Sequence, residues 1–123
     1  MSYVDGFVLA MPKKNLAAYK KMAKDGGKVW MKYGALNYVE AVADDMASAK
    51  KWGNLPFPVM IKAKKNEIIV FAYIVYKNRK HRDSVNKKVY AHMSKTYDPA
   101  KDGDMPFEMD RAAMGGFETI VDL

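Results

Sequence analysis

Cysteine is absent from all 123 positions. That excludes disulfides, thiolate nucleophiles, iron–sulfur clusters and cysteine-based zinc sites together. Histidine is nearly as scarce, with only His81 and His92. No apolar run approaches the roughly 18–20 residues needed to span a membrane. The opening stretch, MSYVDGFVLAM, has no basic leader and carries Asp5 inside its apolar run, so it does not read as a signal peptide. Motifs of fixed chemistry are missing too: there is no glycine-rich phosphate loop, no Ser-His-Asp ordering and no HExxH. DPAKDGDM lacks the spacing and terminal glutamate of a calcium loop. The expectation is a cytoplasmic chain with no membrane partner, no metal and no tightly held cofactor.

Acidic residues are in deficit, 14 against 21 lysines and arginines, for a net charge of +7. Such a balance invites a nucleic-acid reading. The lysines are scattered, however, and no RNP or zinc-finger signature accompanies them. Lys20, Lys24, Lys28 and Lys32 form an i, i+4 row, which is the ordinary solvated face of a helix. The sequence therefore argues against nucleic acid as a partner. Half the residues are apolar and 28% are charged, a globular composition. The length suits one domain over 1–123, large enough to bury a core.

Residues 3–11, YVDGFVLAM, read as a strand. After PKKN, Leu16, Tyr19, Ala23, Val29 or Trp30, and Tyr33 recur on one face of a helix, with Gly34 placed to end it. Gly26 and Gly27 inside that helix predict a bend or a closely packed backbone. Residues 36–43 read as a second strand and 44–66 as a long surface excursion. IIVFAYIVY at 68–76 is a third strand. A helix follows from about 79 to Met93 with Asn78 as its N-cap. TYDPAKDGDMPF reads as a loop, and RAAMGGFETIV at 111–121 as the last strand.

The order β-α-β-β-α-β predicts an α+β, ferredoxin-like fold: four antiparallel strands with two helices on one face. Two helices cover one face only, yet the strands are apolar on both sides. Ile68, Val70, Ala72, Ile74 and Tyr76 alternate with Ile69, Phe71, Tyr73 and Val75. A second apolar face of that size rarely survives exposed. It predicts a homodimer in which a partner sheet covers it.

Four segments in order, YVDGFVLAMPKKNLAAYKKMA, GKVWMKYGALNYVE, IVYKNRKHRDSVNKKV and GGFETIV, resemble the YbaA-like family of bacterial proteins, a domain-of-unknown-function family. That resemblance implies membership of the dimeric α+β barrel superfamily, in which two ferredoxin-like sheets close into one barrel. It implies no particular activity. In RAAMGGF, Met114 stands where relatives of that family tend to carry an aromatic residue.

Candidate site residues fall in three groups. His81 opens an apolar stripe with Val85 and Val89, and reads first as a packed, hydrogen-bonded residue, second as a catalytic acid or base. His92 lies about 16 Å along the same helix, too far to share a metal. Around His81, the cations Lys77, Arg79, Lys80 and Arg82 crowd a helix N-terminus. Asp5, beside Tyr3 and Phe7, and Glu40, between Tyr38 and Val42, are placed on the barrel-lining face as candidate catalytic carboxylates, with Arg111 as a structural neutraliser of either. Trp30, Tyr38 and Tyr73 are candidate walls of a ligand pocket, and Arg111 is a further candidate ligand-binding residue. The expected function is the binding or transformation of a small, aromatic or carbonyl-containing compound in a barrel cavity, with catalysis left open. The alternative is a non-catalytic regulatory domain meeting an anionic partner through its basic surface.

Overall fold

The computed structural model describes residues 1–98 and 103–123. Strand β1 spans Tyr3–Pro12, and one turn of 3-10 helix leads into helix α1, Leu16–Lys32. Strand β2 is Asn37–Val42, followed by two single-turn helices, α2 at Ser48–Lys51 and α3 at Phe57–Met60. Strand β3, Glu67–Tyr76, leads into helix α4, Arg79–Thr96. A 3-10 turn at Met109–Arg111 precedes strand β4, Ala113–Glu118. The four strands form one antiparallel sheet in the order β2-β3-β1-β4, an α+β architecture. The excursion at 44–66 is thus partly helical, α4 runs three residues past Met93, and the last strand is shorter than 111–121. Part of the predicted loop, 99–102, lies outside the described residues.

Local chemistry accounts for the helix ends. Helix α1 closes in a Schellman arrangement: Gly34 N–H donates to Met31 O at 3.2 Å and Ala35 N–H to Trp30 O at 3.1 Å. Gly34 has φ +111°, a conformation that favours glycine. At the start of α4, the Asn78 side chain accepts from His81 N–H at 2.8 Å, while His81 Nδ1 accepts from Lys77 N–H at 3.0 Å. The pair is a variant of the capping box with histidine in the reaching role.

Register gives the sheet two unlike faces. Tyr3, Asp5, Leu9 and Met11 of β1 align with Tyr76, Ile74, Val70 and Ile68 of β3. Val85 and Val89 of α4 pack on Tyr3, Ile74 and Tyr76, and Tyr19 and Ala23 of α1 pack on Leu9, Met11 and Val70. The other face presents rows across all four strands: Asn37–Val75–Val4–Phe117, Val39–Tyr73–Gly6–Gly115 and Ala41–Phe71–Val8–Ala113. No charged side chain stands in those rows. Phe117 is 63% exposed and Phe71 44%.

Of the two glycines inside α1, only Gly27 is tightly enclosed. A Cβ there would stand 2.7 Å from Cδ1 of the Tyr38 ring, whereas one at Gly26 would meet Met93 and Trp30 at an ordinary 3.7 Å. What approaches the helix is therefore an aromatic ring, in place of the expected backbone. Alanine is favoured over glycine in a helix by about 1 kcal/mol, and overpacking costs about 1–3 kcal/mol. Denaturant unfolding will accordingly show Gly26→Ala stabilised by about 0.5–1 kcal/mol and Gly27→Ala destabilised by about 1 kcal/mol. Equal stabilisation of both variants would mean that the Tyr38 ring moves freely.

Candidate functional site

Asp5 and Glu40 occupy the helix-covered face, not the open face on which they were expected. Across the sheet, Asp5 lies in the row Tyr38–Ile74–Asp5–Gly116 and Glu40 in the row Glu40–Ala72–Phe7–Met114. Two strand spacings, about 10 Å, part them. They do not share a proton or a cavity, and each has its own partners.

Asp5 is 1% exposed. Its counter-charge comes from α4, where Arg82 Nε stands 3.2 Å from Asp5 Oδ1. That approach is an ion pair without an aligned hydrogen bond. The guanidinium is anchored on its other corners: Nη2 donates to the Tyr3 hydroxyl at 3.1 Å, and Nη1 to Asp83 at 2.9 Å. It also lies 5.0 Å over the Tyr3 ring. Gly116 makes room for this cluster, since a Cβ there would collide with the Tyr3 hydroxyl and Arg82 Nη2. The Asp5 charge and burial also hold the neighbouring Tyr76 phenol well above its usual range, burial being the larger cause.

Glu40 is held without a cation. Tyr19 OH donates to Oε1 and Tyr38 OH to Oε2, each at 2.6 Å. Burial first, then the hydrogen bond to Glu40 and its charge, push both phenols far above the ordinary tyrosine range. Beside this clamp Trp30 lies 5.9 Å from the Tyr38 ring. Its Nε1 donates to Asn86 Oδ1 at 3.0 Å, which also accepts from Tyr76 OH at 3.0 Å. Trp30 and Tyr38 are therefore parts of a hydrogen-bonded aromatic layer under the helices. Tyr73 points to the opposite face, so the three expected pocket walls do not line one pocket.

His81 Nδ1 is occupied by the Lys77 N–H, as described for the α4 cap, and His92 Nδ1 meets the Tyr33 hydroxyl at 3.0 Å. Arg111 reaches neither Asp5 nor Glu40. It sits in the turn before β4 and grips Glu67 with two hydrogen bonds, 2.6 and 2.8 Å. That grip is the main cause holding the Glu67 carboxyl down at about 2. Sequence reasoning missed Tyr19, Arg82, Asn86 and Gly116 as members of the polar layer. Arg82 carried a signal, as a cation one helical turn before Asn86 on the stretch that opens α4, and Gly116 a weaker one, as a glycine inside a strand. Among the described residues, no group of histidines and carboxylates could hold a metal ion, and no helix is long and apolar enough to cross a membrane.

An α+β chain with one four-stranded antiparallel sheet, a polar layer beneath its helices and an opposite face whose central rows carry no charge is the class that the geometry defines. The chain belongs to the family described as protein of unknown function (DUF1428), whose model matches residues 2–109. It is similar to the uncharacterized protein YbaA of Escherichia coli (strain K12), at 38% identity over 122 residues and 99% of each chain. The YbaA protein of Shigella flexneri matches with the same figures. A de novo designed protein, Foldit4, aligns over 97% of this chain and 99% of its own with a TM-score of 0.46 and 7% identity, too slight a likeness to carry an argument.

Two outcomes test the polar layer. Removing one partner of a buried ion pair costs about 3–5 kcal/mol. Asp5→Ala should lose about 3 kcal/mol in denaturant unfolding, the low end of that range, because 23% of the Arg82 side chain remains exposed. A loss below about 1 kcal/mol, the scale of an exposed pair, would show that the pair is not structural. For Glu40, the folded state holds the Tyr19 and Tyr38 protons more tightly than the unfolded chain does. The associated stability is fully present below the ordinary phenol pKa of 10.0 and is lost as pH rises above it. In Glu40→Gln the charge beside the phenols is gone, and near-ultraviolet phenolate absorbance should rise at lower pH than in the wild type. An unchanged titration would mean that burial alone protects them.

Proposed function

We propose that the chain is a single ferredoxin-like domain over 1–123 that pairs with a second copy, sheet to sheet, and binds a small, flat, apolar compound between the sheets. The strand order β2-β3-β1-β4 and the two β-α-β halves support the ferredoxin-like reading. The observation that carries the binding reading is the open face itself. Gly6 and Gly115 are neighbours in the row Val39–Tyr73–Gly6–Gly115 and leave a dent without side chains. The Phe117 ring leans over it, 3.5 and 3.7 Å from where the two missing Cβ atoms would stand, and Tyr73 stands beside Gly6 in the same row. A glycine floor on which one aromatic ring already rests, beside a second ring, suits an aromatic or other flat apolar molecule that displaces or stacks on the Phe117 ring.

Charge supports a second copy as the covering partner. The net charge of +7 is carried elsewhere: Lys20, Lys24, Lys28 and Lys32 on α1 and Lys80, Lys87 and Lys88 on α4 are exposed. Like-charged copies meet with least repulsion at the face whose central rows carry no charge, where the Glu67–Arg111 pair at the margin is neutral overall. Binding is favoured over acid–base transformation, because Asp5, Glu40 and His81 all have protein partners on or under the helix side.

Sedimentation equilibrium at micromolar concentration should give a dimer, and Phe71→Asp, which puts a charge on the open face, should give a monomer. The neutral fluorophore N-phenyl-1-naphthylamine should brighten with the wild-type dimer and not with Gly115→Leu, which fills the dent while the dimer persists. A wild-type monomer would overturn the assembly. A dimer that leaves the fluorophore dark would overturn the ligand reading and leave the assembly standing.

A further inference from the structure

Two unpartnered apolar features lie at opposite corners of the sheet. The first is the segment that follows β4. Thr119 continues the ladder, its N–H donating to Ser2 O at 3.0 Å and its hydroxyl meeting Ser2 Oγ at 2.7 Å. Beyond it Ile120 is 83% exposed and Val121 69%, and Leu123 is fully exposed. The second is a largely apolar groove of ≈ 200 Å³ at the β2 end of the sheet, lined by Ala41, Val42, Met46, Phe57, Ile69 and Phe71, with Asp44 at its rim. Phe57 of α3 forms its wall, with its ring 6.2 Å from Phe71. The chain has three apolar side chains with nothing to cover them and an apolar groove with nothing in it.

They cannot meet within one chain. The arm leaves the sheet at the Ser2 level of β4, one edge strand, while the groove sits at the Ile69 level beside β2, the other edge strand. Three strand spacings across and eight residues along separate them by roughly 30 Å. Four residues of fully extended chain reach at most about 14 Å. Strand β4 cannot swing to the far edge without breaking its pairing to β1.

We propose that residues 120–123 of one copy lie in the β2–α3 groove of a second copy, and reciprocally. The inference rests on the sheet-to-sheet homodimer proposed above. When two such sheets face each other about a two-fold axis that lies between them, perpendicular to the line joining these two corners, the β4 exit corner of one falls over the β2 corner of the other. A two-fold also makes the contact self-complementary, so that both arms and both grooves are satisfied at once. Strand β2 offers its free edge beside the groove, and the arm follows directly on the Thr119–Ser2 hydrogen bond, so backbone pairing can accompany the side-chain burial. The arm thereby adds apolar contact at the rim of an interface whose centre is the open face.

The absence of cysteine makes the test direct. Val42→Cys and Ile120→Cys are made as separate single variants, mixed in equal amounts, allowed to exchange subunits and treated with a short bismaleimide. Each chain then carries one thiol, so any covalent dimer joins two chains. A covalent dimer in the mixture and in neither variant alone is the expected result. Truncation after Thr119 should raise the dimer dissociation constant at least tenfold in sedimentation equilibrium, with the far-ultraviolet circular dichroism per residue retained. If the wild type sediments as a dimer but the mixture gives no cross-link and truncation leaves the dissociation constant unchanged, the arm is not seated in the partner and the inference falls alone. If the wild type is a monomer, the dimer reading falls and takes this one with it.

Discussion

A carboxylate buried in the middle of a sheet needs a counter-charge, and in this chain that need fixes the layer above it. Asp5 has only the length of its side chain with which to reach water, and it is 1% exposed. An uncompensated charge in such a place is far more costly than the net stability of a domain allows. Arg82 must therefore lie over β1, and with it the start of α4. For Arg82 to reach Asp5, the strand beyond must carry no side chain at the facing position, and Gly116 meets that condition. The same arginine is steadied by Tyr3 from below and Asp83 from its own helix. Strand, helix and glycine are thus three consequences of one charge.

Glu40 solves the same problem by a different chemistry. Two neutral phenols supply short hydrogen bonds, and among the described residues no cation pairs with it. The donors come from different elements, Tyr19 from α1 and Tyr38 from β2 itself, so the carboxylate ties the first helix to the edge strand. The ring of Tyr38 needs space to take that position, and Gly27 supplies it on the helix above. In both cases a glycine stands where a side chain would displace the polar group from its acceptor. Both carboxylates are consumed by structure, which is why a face rich in titratable and aromatic residues makes a poor case for acid–base chemistry. His81 follows the same logic at the α4 cap.

Much of this was legible in the sequence, and the limits have physical causes. Strand and helix identities came from periodicity, which reports which faces want burial. The two-sided apolar pattern of β3 was equally readable, because alternation puts Phe71 and Tyr73 opposite Ala72 and Ile74. Which of the two faces the helices would cover was not readable. Both are apolar, and the choice depends on handedness and loop lengths that no single strand encodes. Placing Asp5 on the open face was the direct result. Arg111 illustrates a second limit. Its partner Glu67 lies 44 residues away, and nothing local distinguishes that pairing from one with Asp5 or Glu40. Gly116 shows the third: a glycine in a strand signals a close approach but does not name what approaches.

The uncharged face gains meaning from the distribution of charge around it. Each copy carries +7, so two copies meeting at random would repel. Facing sheets lie about 10 Å apart, and each helix layer stands further out by roughly a helix diameter, about 10 Å. The lysine rows of α1 in two facing copies are then separated by several Debye lengths, each about 8 Å at physiological ionic strength. Their mutual repulsion is screened, whereas any charge placed between the sheets would be desolvated and felt in full. A basic exterior and an open face without charge in its central rows are therefore compatible with the proposed pairing of sheets. Charge on the helix face has partners built into the same chain, as does the Glu67–Arg111 pair at the margin of the open face, whereas a charge in the central rows would be left without one.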